Sequence, residues 1–344
     1  MQPDNARVLI LGARGRLGAA VVQAFANAGW HVVAQGRARV TPPSSQNGIT
    51  WVQASAQDYA SLRDAAQGCS VVVHAMNPAA YTTRAWQQEA PVLMQAAIAL
   101  SLALDATLLF PGNVYPYGPT MPALLSPSTP QQPGNAKGQI RATLEQQLRH
   151  ACQTQGLRAV LIRAGDFYGA GTGSWLDLVI AKKLGRGHVT WPTKRNIAHA
   201  WAYLPDLAQT FVRVAQSLAQ MPARGLEYLH FAGHTVTRQD WLDALTQIAR
   251  ERGWLAPQQA PQVHALPWPL LRGAAWFNPT LASLVEMRYL WETPHALDET
   301  ALAQRIGTVP ATPFLQAVRS ALAQLPPQAL ALPAHAIQPK LSTH

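Results

Sequence analysis

The chain has 344 residues, 48% of them hydrophobic, and a formal net charge of +10 from 27 Lys and Arg against 17 Asp and Glu. That length holds one large α/β domain plus a smaller lobe. The basic residues are scattered and no basic, aromatic-interleaved reader motif occurs, which favours an anionic small molecule over nucleic acid. Two cysteines, Cys69 and Cys152, and no His/Cys/Asp/Glu group with metal-ligand spacing argue against a disulfide framework or a metal site.

Val8–Leu11 reads as a buried strand, and Gly12, Gly15 and Gly18 follow at a spacing of three. Ala19–Phe25 then reads as a helix. Strand, glycine turn and helix start form a dinucleotide-binding turn. Gly12 permits the sharp exit, Gly15 lets the backbone approach a pyrophosphate, and Gly18 lets the helix pack on the sheet. The helix N-terminus offers N–H groups and a positive dipole end. Gly12, Arg14, Gly15, Arg16, Leu17 and Gly18 are therefore expected to bind cofactor.

Trp30–Gln35 reads as the second strand, and Gln35-Gly36-Arg37 follows at its end, where an acid would bind a ribose 2′-hydroxyl. Without a carboxylate there, Arg37 and Arg14 suit the 2′-phosphate of NADP better than NAD. Ile49–Gln53 is a short strand, Tyr59–Ala66 a helix, and Ser70–Ala75 a buried strand running into Met76-Asn77-Pro78. Ligands of doubly wound sheets sit outside such strand ends, so Ala75, Met76 and Asn77 are expected to line the cofactor site.

Trp86–Leu104 reads as a long helix and Ala106–Phe110 as a strand opening into Pro111-Gly112-Asn113-Val114-Tyr115-Pro116-Tyr117-Gly118. The Pro-rich stretch 119–133 is expected to cross the mouth of the site. A helix follows Lys137, and Leu157–Ile162 is a strand ending in Arg163-Ala164-Gly165-Asp166-Phe167-Tyr168-Gly169.

These segments, with His199–Ala208, resemble the extended or atypical branch of the short-chain dehydrogenase/reductase superfamily, the epimerase/dehydratase-like proteins, over roughly residues 6–320. The resemblance implies a Rossmann-type, doubly wound, mostly parallel α/β sheet with a smaller C-terminal α/β substrate lobe. It implies a nucleotide domain over 1–170, completed by about 197–220. It places the substrate lobe at 171–196 and 221–325, and the Pro/Ala-rich composition of 326–344 reads as a mobile tail. It adds Ser55, Ala164, Gly165, Phe167 and Lys137 to the cofactor site.

The chain departs from the family where Ser55 stands in place of the frequent adenine-contacting Asp after the third strand, and at the two proton-transfer positions. The family carries a Ser or Thr after the fifth strand and a Tyr four residues before the helix lysine. Here Pro111 and Pro133 stand there, and neither can transfer a proton. Lys137 could act as acid/base itself, Tyr115 could supply a phenol, and Asn113 could donate to a substrate oxygen.

The C-terminal half reads as short strands at His188–Pro192 and Gly225–Phe231, helices at Thr237–Arg250, Leu270–Tyr289, Asp298–Ile306 and Pro313–Leu325, and a Pro/Gln-rich connection at Trp254–Trp268. Trp175, Trp191, Trp201, Trp268, Trp276 and Trp291 serve either as core or as walls of an apolar or aromatic substrate pocket. Residues 1–7 are polar without a signal peptide, and Ala90–Leu109 is interrupted by Pro91, Gln95, Ser101 and Asp105. A cytoplasmic chain with no membrane contact and room for a homodimer is expected. The function expected is an NADP-dependent oxidoreductase of a small carbonyl or hydroxyl compound. The alternatives are an NADP-holding sensor or scaffold without turnover, and a nucleotide-sugar epimerase or dehydratase.

Overall fold

The computed structural model describes residues 6–37, 48–220, 224–326 and 330. In chain order the strands are β1 Arg7–Leu11, β2 His31–Gly36, β3 Ile49–Gln53, β4 Val71–His74, β5 Thr107–Gly112, β6 Leu124–Leu125, β7 Arg158–Arg163, β8 Asp166–Tyr168, β9 His188–Trp191, β10 His199–Tyr203, β11 Gly225–His230, β12 His234–Val236, β13 Gln262–Ala265 and β14 Ala296–Leu297. The helices are α1 Arg16–Asn27, α2 Tyr59–Ala65, α3 Thr83–Ala103, α4 Ala136–Thr154, α5 Leu204–Gln216, α6 Arg238–Glu251, α7 Trp268–Ala275, α8 Pro279–Glu286, α9 Thr300–Ile306 and α10 Phe314–Ala323.

The main sheet runs β11-β7-β5-β4-β1-β2-β3, every pair parallel. Successive side chains of a strand face opposite ways, and the two faces feed different cores. Val8, Ile10, Val71, Val73, Val160 and Ile162 pack toward α1 and α5 with Phe25 and Phe211. Leu9, Leu11, Val72, Leu108 and Leu161 pack toward α3 and α4 with Met94, Ile98 and Leu148. The doubly wound sheet expected from the sequence is thus the observed one. The strand order reverses between β1 and β4, which opens a crevice at their C-terminal ends.

The second lobe has a three-stranded sheet, β12-β10-β8, and the two-stranded pairs β13-β9 and β14-β6. Its core gathers Trp191, Trp201, Trp241, Trp268 and Trp291. Four of the six tryptophans weighed as pocket walls are therefore core.

Several local expectations change. Residues 225–230, read as part of the substrate lobe, form the edge strand of the main sheet by pairing with β7. The connection 254–268 contains β13, whose backbone pairs in parallel with β9. The helix expected over 270–289 breaks at Trp276–Asn278, because the Asn278 side chain accepts from the N–H groups of Thr280 and Leu281 and starts α8 with Pro279 in its first turn. The stretch 119–133 does not cover the cleft. It carries β6, and Met121 and Leu125 pack with Val114, Tyr117 and Leu290 instead. Of the tail 326–344, only Pro326 and Leu330 lie within the described residues.

Candidate functional site

A cleft of about 1080 Å³ lies over the ends of β1, β2, β4 and β5. One half is made by the glycine turn. Gly12 has φ +78°, and its carbonyl accepts from Gly15 N at 2.9 Å. A Cβ on Gly12 would meet the Ala75 carbonyl at 2.8 Å, and one on Gly18 would lie 2.1 Å from the Gly12 carbonyl. Only glycine lets β1, β4 and α1 converge this closely. α1 starts at Gly15 with no side-chain cap, so its first N–H groups face the cleft unclaimed by a capping side chain. A cradle closed to side chains and fronted by a helix N-terminus fits a dinucleotide pyrophosphate.

The end of β2 carries no acid. Gln35 is consumed internally: its Oε1 accepts from Gly12 N at 2.8 Å and its Nε2 donates to the Ala54 carbonyl at 2.6 Å. The Arg14 guanidinium lies 5.7 Å from the centre of the Trp51 ring and beside Gly36, and the exposed Arg37 completes this rim. Ser55 sits on the same rim, its hydroxyl accepting from Gln57 N at 3.3 Å. Arg16 turns away toward the second lobe and donates to the carbonyls of Gly169 at 2.7 Å and Gly173 at 3.4 Å. Burial lowers its pKa.

Among the residues expected to bind cofactor, all line the cleft except Gly18, Ala164 and Lys137. Gly18 is a packing glycine against Gly12, and Ala164 is buried behind the wall. Lys137 is fully buried, and its Nζ has no hydrogen-bond partner. It lies 4.0 Å from the centre of the Tyr81 ring and 4.3 Å from that of Trp86. Desolvation lowers its pKa to about 8, against the opposing pull of Glu286. The ammonium is thus held against two aromatic rings behind the cleft wall, with no hydrogen-bond acceptor of its own.

The other half of the cleft is built differently. Asn113 and Tyr115 both line it, and the Asn113 side chain accepts from Tyr115 N at 3.1 Å. Behind them the Asn113 carbonyl accepts from Arg163, which forms a bidentate pair with Glu145 at 2.9 and 2.8 Å. Both partners are 1% exposed. Tyr81, from the loop before α3, also lines the cleft together with Tyr115. Burial pushes Tyr81 up to about 12 and raises Tyr115 as well. Asp166 faces the same space and meets His199 Nε2 at 3.1 Å, while His199 Nδ1 faces the Leu290 carbonyl at 3.2 Å. Trp175, Leu178, Val179 and Leu284 form the apolar wall.

Three of these were missed by the sequence reading. Tyr81 lies in an unpatterned loop and carried no signal. Arg141 could have been found, because it stands four residues after Lys137 on the same face of α4. It lines the floor of the cleft and donates to the Pro111 carbonyl at 2.6 Å, and burial lowers its pKa to about 10. Asp166, to which the sequence assigned no role, pairs with a histidine 33 positions away. Among the described residues no group of three or more His, Cys, Asp or Glu is placed to hold a metal ion.

No curated protein matches the chain by sequence. Solved structures of similar fold include the Bordetella bronchiseptica enzyme WbmH in complex with NAD+, at TM-score 0.70 and 18% identity, covering 93% of this chain and 98% of that one. UDP-glucose 4-epimerase of Thermotoga maritima with UDP-glucose aligns at TM-score 0.67 and 14% identity over 92% of this chain and 98% of that one. UDP-N-acetylglucosamine 4-epimerase of Bacillus cereus aligns at 0.68 and 12%, over 92% and 94%. The family model described as "NAD dependent epimerase/dehydratase family" matches residues 8–226, from β1 through the glycine turn, both halves of the cleft and α5 into β11. The chain therefore belongs to the NAD dependent epimerase/dehydratase family.

Proposed function

We propose that the protein is an NADP-dependent oxidoreductase acting on a small, uncharged, apolar or aromatic carbonyl or hydroxyl compound. The observation that carries this is the charge division of the cleft. Arg14 and Arg37 flank the end of β2 with no carboxylate between them. The walls formed by residues 76–93, 173–179 and 280–284 contribute Glu89 and no Lys or Arg among the described lining residues, and the two further cations that line the cleft are engaged by backbone, Arg141 by the Pro111 carbonyl and Arg16 by the Gly169 and Gly173 carbonyls. A nucleotide-sugar diphosphate needs cationic donors along its path. An apolar carbonyl compound needs the wall that Trp175, Leu178, Val179 and Leu284 provide. The UDP-sugar complexes among the structural neighbours favour the epimerase reading, and this lining speaks against it.

The nicotinamide ring, when bound, supplies or accepts the hydride. The chain's own residues must position the substrate and handle the proton. Tyr81 Oη delivers the proton during carbonyl reduction, and the phenolate left behind is held by Tyr115 Oη donating to it and by the Lys137 ammonium beneath the ring. The Asn113 side-chain amide donates to the substrate oxygen. Tyr115 is the alternative donor, since both phenols line the same half of the cleft. This pair takes the place of the tyrosine that Pro133 removes from the usual position.

Oxidation of NADPH, followed at the reduced-nicotinamide absorbance, is expected with apolar aldehydes and ketones and not with UDP-sugars. Tyr81→Phe and Tyr115→Phe are each expected to lower kcat on the order of 100-fold while leaving NADPH binding intact. Tight NADPH binding with no turnover across a broad panel would favour the sensor alternative. Turnover of UDP-sugars would restore the epimerase.

A further inference from the structure

The hairpin formed by α7 and α8 is the most apolar exposed feature among the described residues. Leu270, Trp276 and Phe277 are 73%, 88% and 93% exposed. From Pro269 to Val285 the only charged residue is Arg272. α7 buries only Trp268, and α8 only Ser283. Both buried residues lie toward the base and pin it. Trp268 Nε1 donates to the Pro192 carbonyl at 2.5 Å, and Ser283 Oγ accepts from Thr83 N at 3.1 Å. The turn at Trp276–Asn278 is left to stand out from the body. Aromatic side chains displayed on a projecting tip are costly in water and mark a contact surface.

Basic residues collar the base. Lys194 and Arg195 are exposed and follow Pro192, the residue that accepts from Trp268. Arg272 is exposed on α7, and the Arg288 guanidinium lies 5.5 Å from the centre of the Trp268 ring. The acids nearby are engaged: Glu292 pairs with Arg288, and Glu286 accepts from Ala136 N at the start of α4. The chain as a whole is +10.

We infer that the α7–α8 hairpin docks on an anionic phospholipid surface, with Trp276, Phe277 and Leu270 entering the headgroup boundary and Lys194, Arg195 and Arg272 meeting the lipid charge. An apolar tip above a basic collar is the arrangement that interfacial binding requires. A second copy of the chain fits less well, because a projecting tip of two aromatic side chains, with Leu270 nearer the base, offers far less than the roughly 800 Å² per partner of a stable interface. The sequence expectation of no membrane contact rested on the lack of a spanning run. No helix among the described residues is long and apolar enough to cross a membrane, and a surface contact needs no such length. Thr280 and Leu284 of the same hairpin line the cleft, and Leu178 beside them is 57% exposed. Docking therefore brings the apolar mouth to the lipid; this last consequence rests on the substrate class proposed above, whereas the docking does not.

The test is co-sedimentation of the full chain with vesicles of phosphatidylcholine alone and of phosphatidylcholine with phosphatidylglycerol. Binding to the anionic vesicles, weakened by salt, is expected. Trp276→Ser/Phe277→Ser should reduce it at least tenfold, with the melting temperature and NADPH binding unchanged because both side chains are exposed. Lys194→Glu/Arg195→Glu should reduce it about tenfold on anionic vesicles. No binding to either vesicle, or equal binding by wild type and Trp276→Ser/Phe277→Ser, overturns the proposal. So does a concentration-dependent dimer, seen by light scattering, that this double variant abolishes while vesicles bind neither protein. NADPH titration separates failure here from failure of the oxidoreductase reading, since a chain that binds no NADPH can still sediment with vesicles.

Discussion

The two halves of the cleft are made from different materials. The half over β1 and β2 is backbone: a glycine turn, an uncapped helix start and carbonyls in van der Waals contact, with arginines only at the rim. The half over β4 and β5 is side chain: Tyr81, Tyr115, Trp175, Leu178 and Leu284, brought from segments up to 200 positions apart, as the Thr83–Ser283 bond shows. Backbone geometry tolerates almost no substitution, because every atom of the turn is shared with its neighbours. Side-chain walls can be rebuilt residue by residue. A binding function fixed in backbone therefore depends on a few glycines, whereas the opposite wall depends on which side chains are brought to it.

The largest expected effect on cofactor affinity is on the backbone half. Gly18→Ala puts a Cβ 2.1 Å from the Gly12 carbonyl, which forces α1 away from the sheet. NADPH affinity should fall on the order of 100-fold or more, with a lower melting temperature. Unchanged affinity in a fluorescence titration would break the contrast, because the turn would then be as adaptable as the opposite wall.

Next is the support behind the side-chain half. Glu145→Ala leaves the Arg163 guanidinium buried without its bidentate partner. Denaturant unfolding should show a loss of about 3–5 kcal/mol. The Asn113 loop, whose carbonyl Arg163 holds, should exchange its amide hydrogens faster. A loss below about 1 kcal/mol would mean the wall does not depend on this buried pair.

Smaller is the rim. Arg14→Ser and Arg37→Ser together should weaken NADP binding about 10- to 100-fold and leave NAD binding nearly unchanged. Equal losses for both cofactors, by calorimetry, would remove the 2′-phosphate role from these arginines.

The smallest effect concerns Lys137, between the halves. Its folded pKa is about 8 and its ordinary value 10.5. Below pH 8 both folded and unfolded chains carry the proton, so the burial penalty is complete. It shrinks as pH rises from about 8 to 10.5, where only the unfolded chain stays protonated. In the cofactor-free protein, Lys137→Met should therefore gain about 1–3 kcal/mol at pH 7, the Tyr81 and Trp86 rings offsetting part of the penalty. The gain should vanish above pH 10.5. A gain that is flat with pH would mean the ammonium is solvated and not held behind the wall.

The sequence by itself determined the sheet and the dinucleotide turn. Short continuous apolar runs such as Val8–Leu11 and Val71–Val73 read as strands buried on both faces, and the glycine spacing is a local requirement for close backbone approach. Pro111 and Pro133 stand where the resemblance expects proton donors, and a prolyl ring has no proton to transfer wherever it is folded.

Only the tertiary structure decided the rest. It placed Tyr81 against Lys137 and Tyr115, joined Asp166 to His199, and assigned residues 225–230 to the edge of the main sheet. It moved the proline-rich stretch away from the cleft mouth, and it sent most of the tryptophans to the core while leaving Trp276 outside. The physical reason is range. Periodicity and turn chemistry act over a few residues and can be read along a chain. Contacts across tens to hundreds of positions depend on how whole elements pack, and one sequence carries no local trace of that packing.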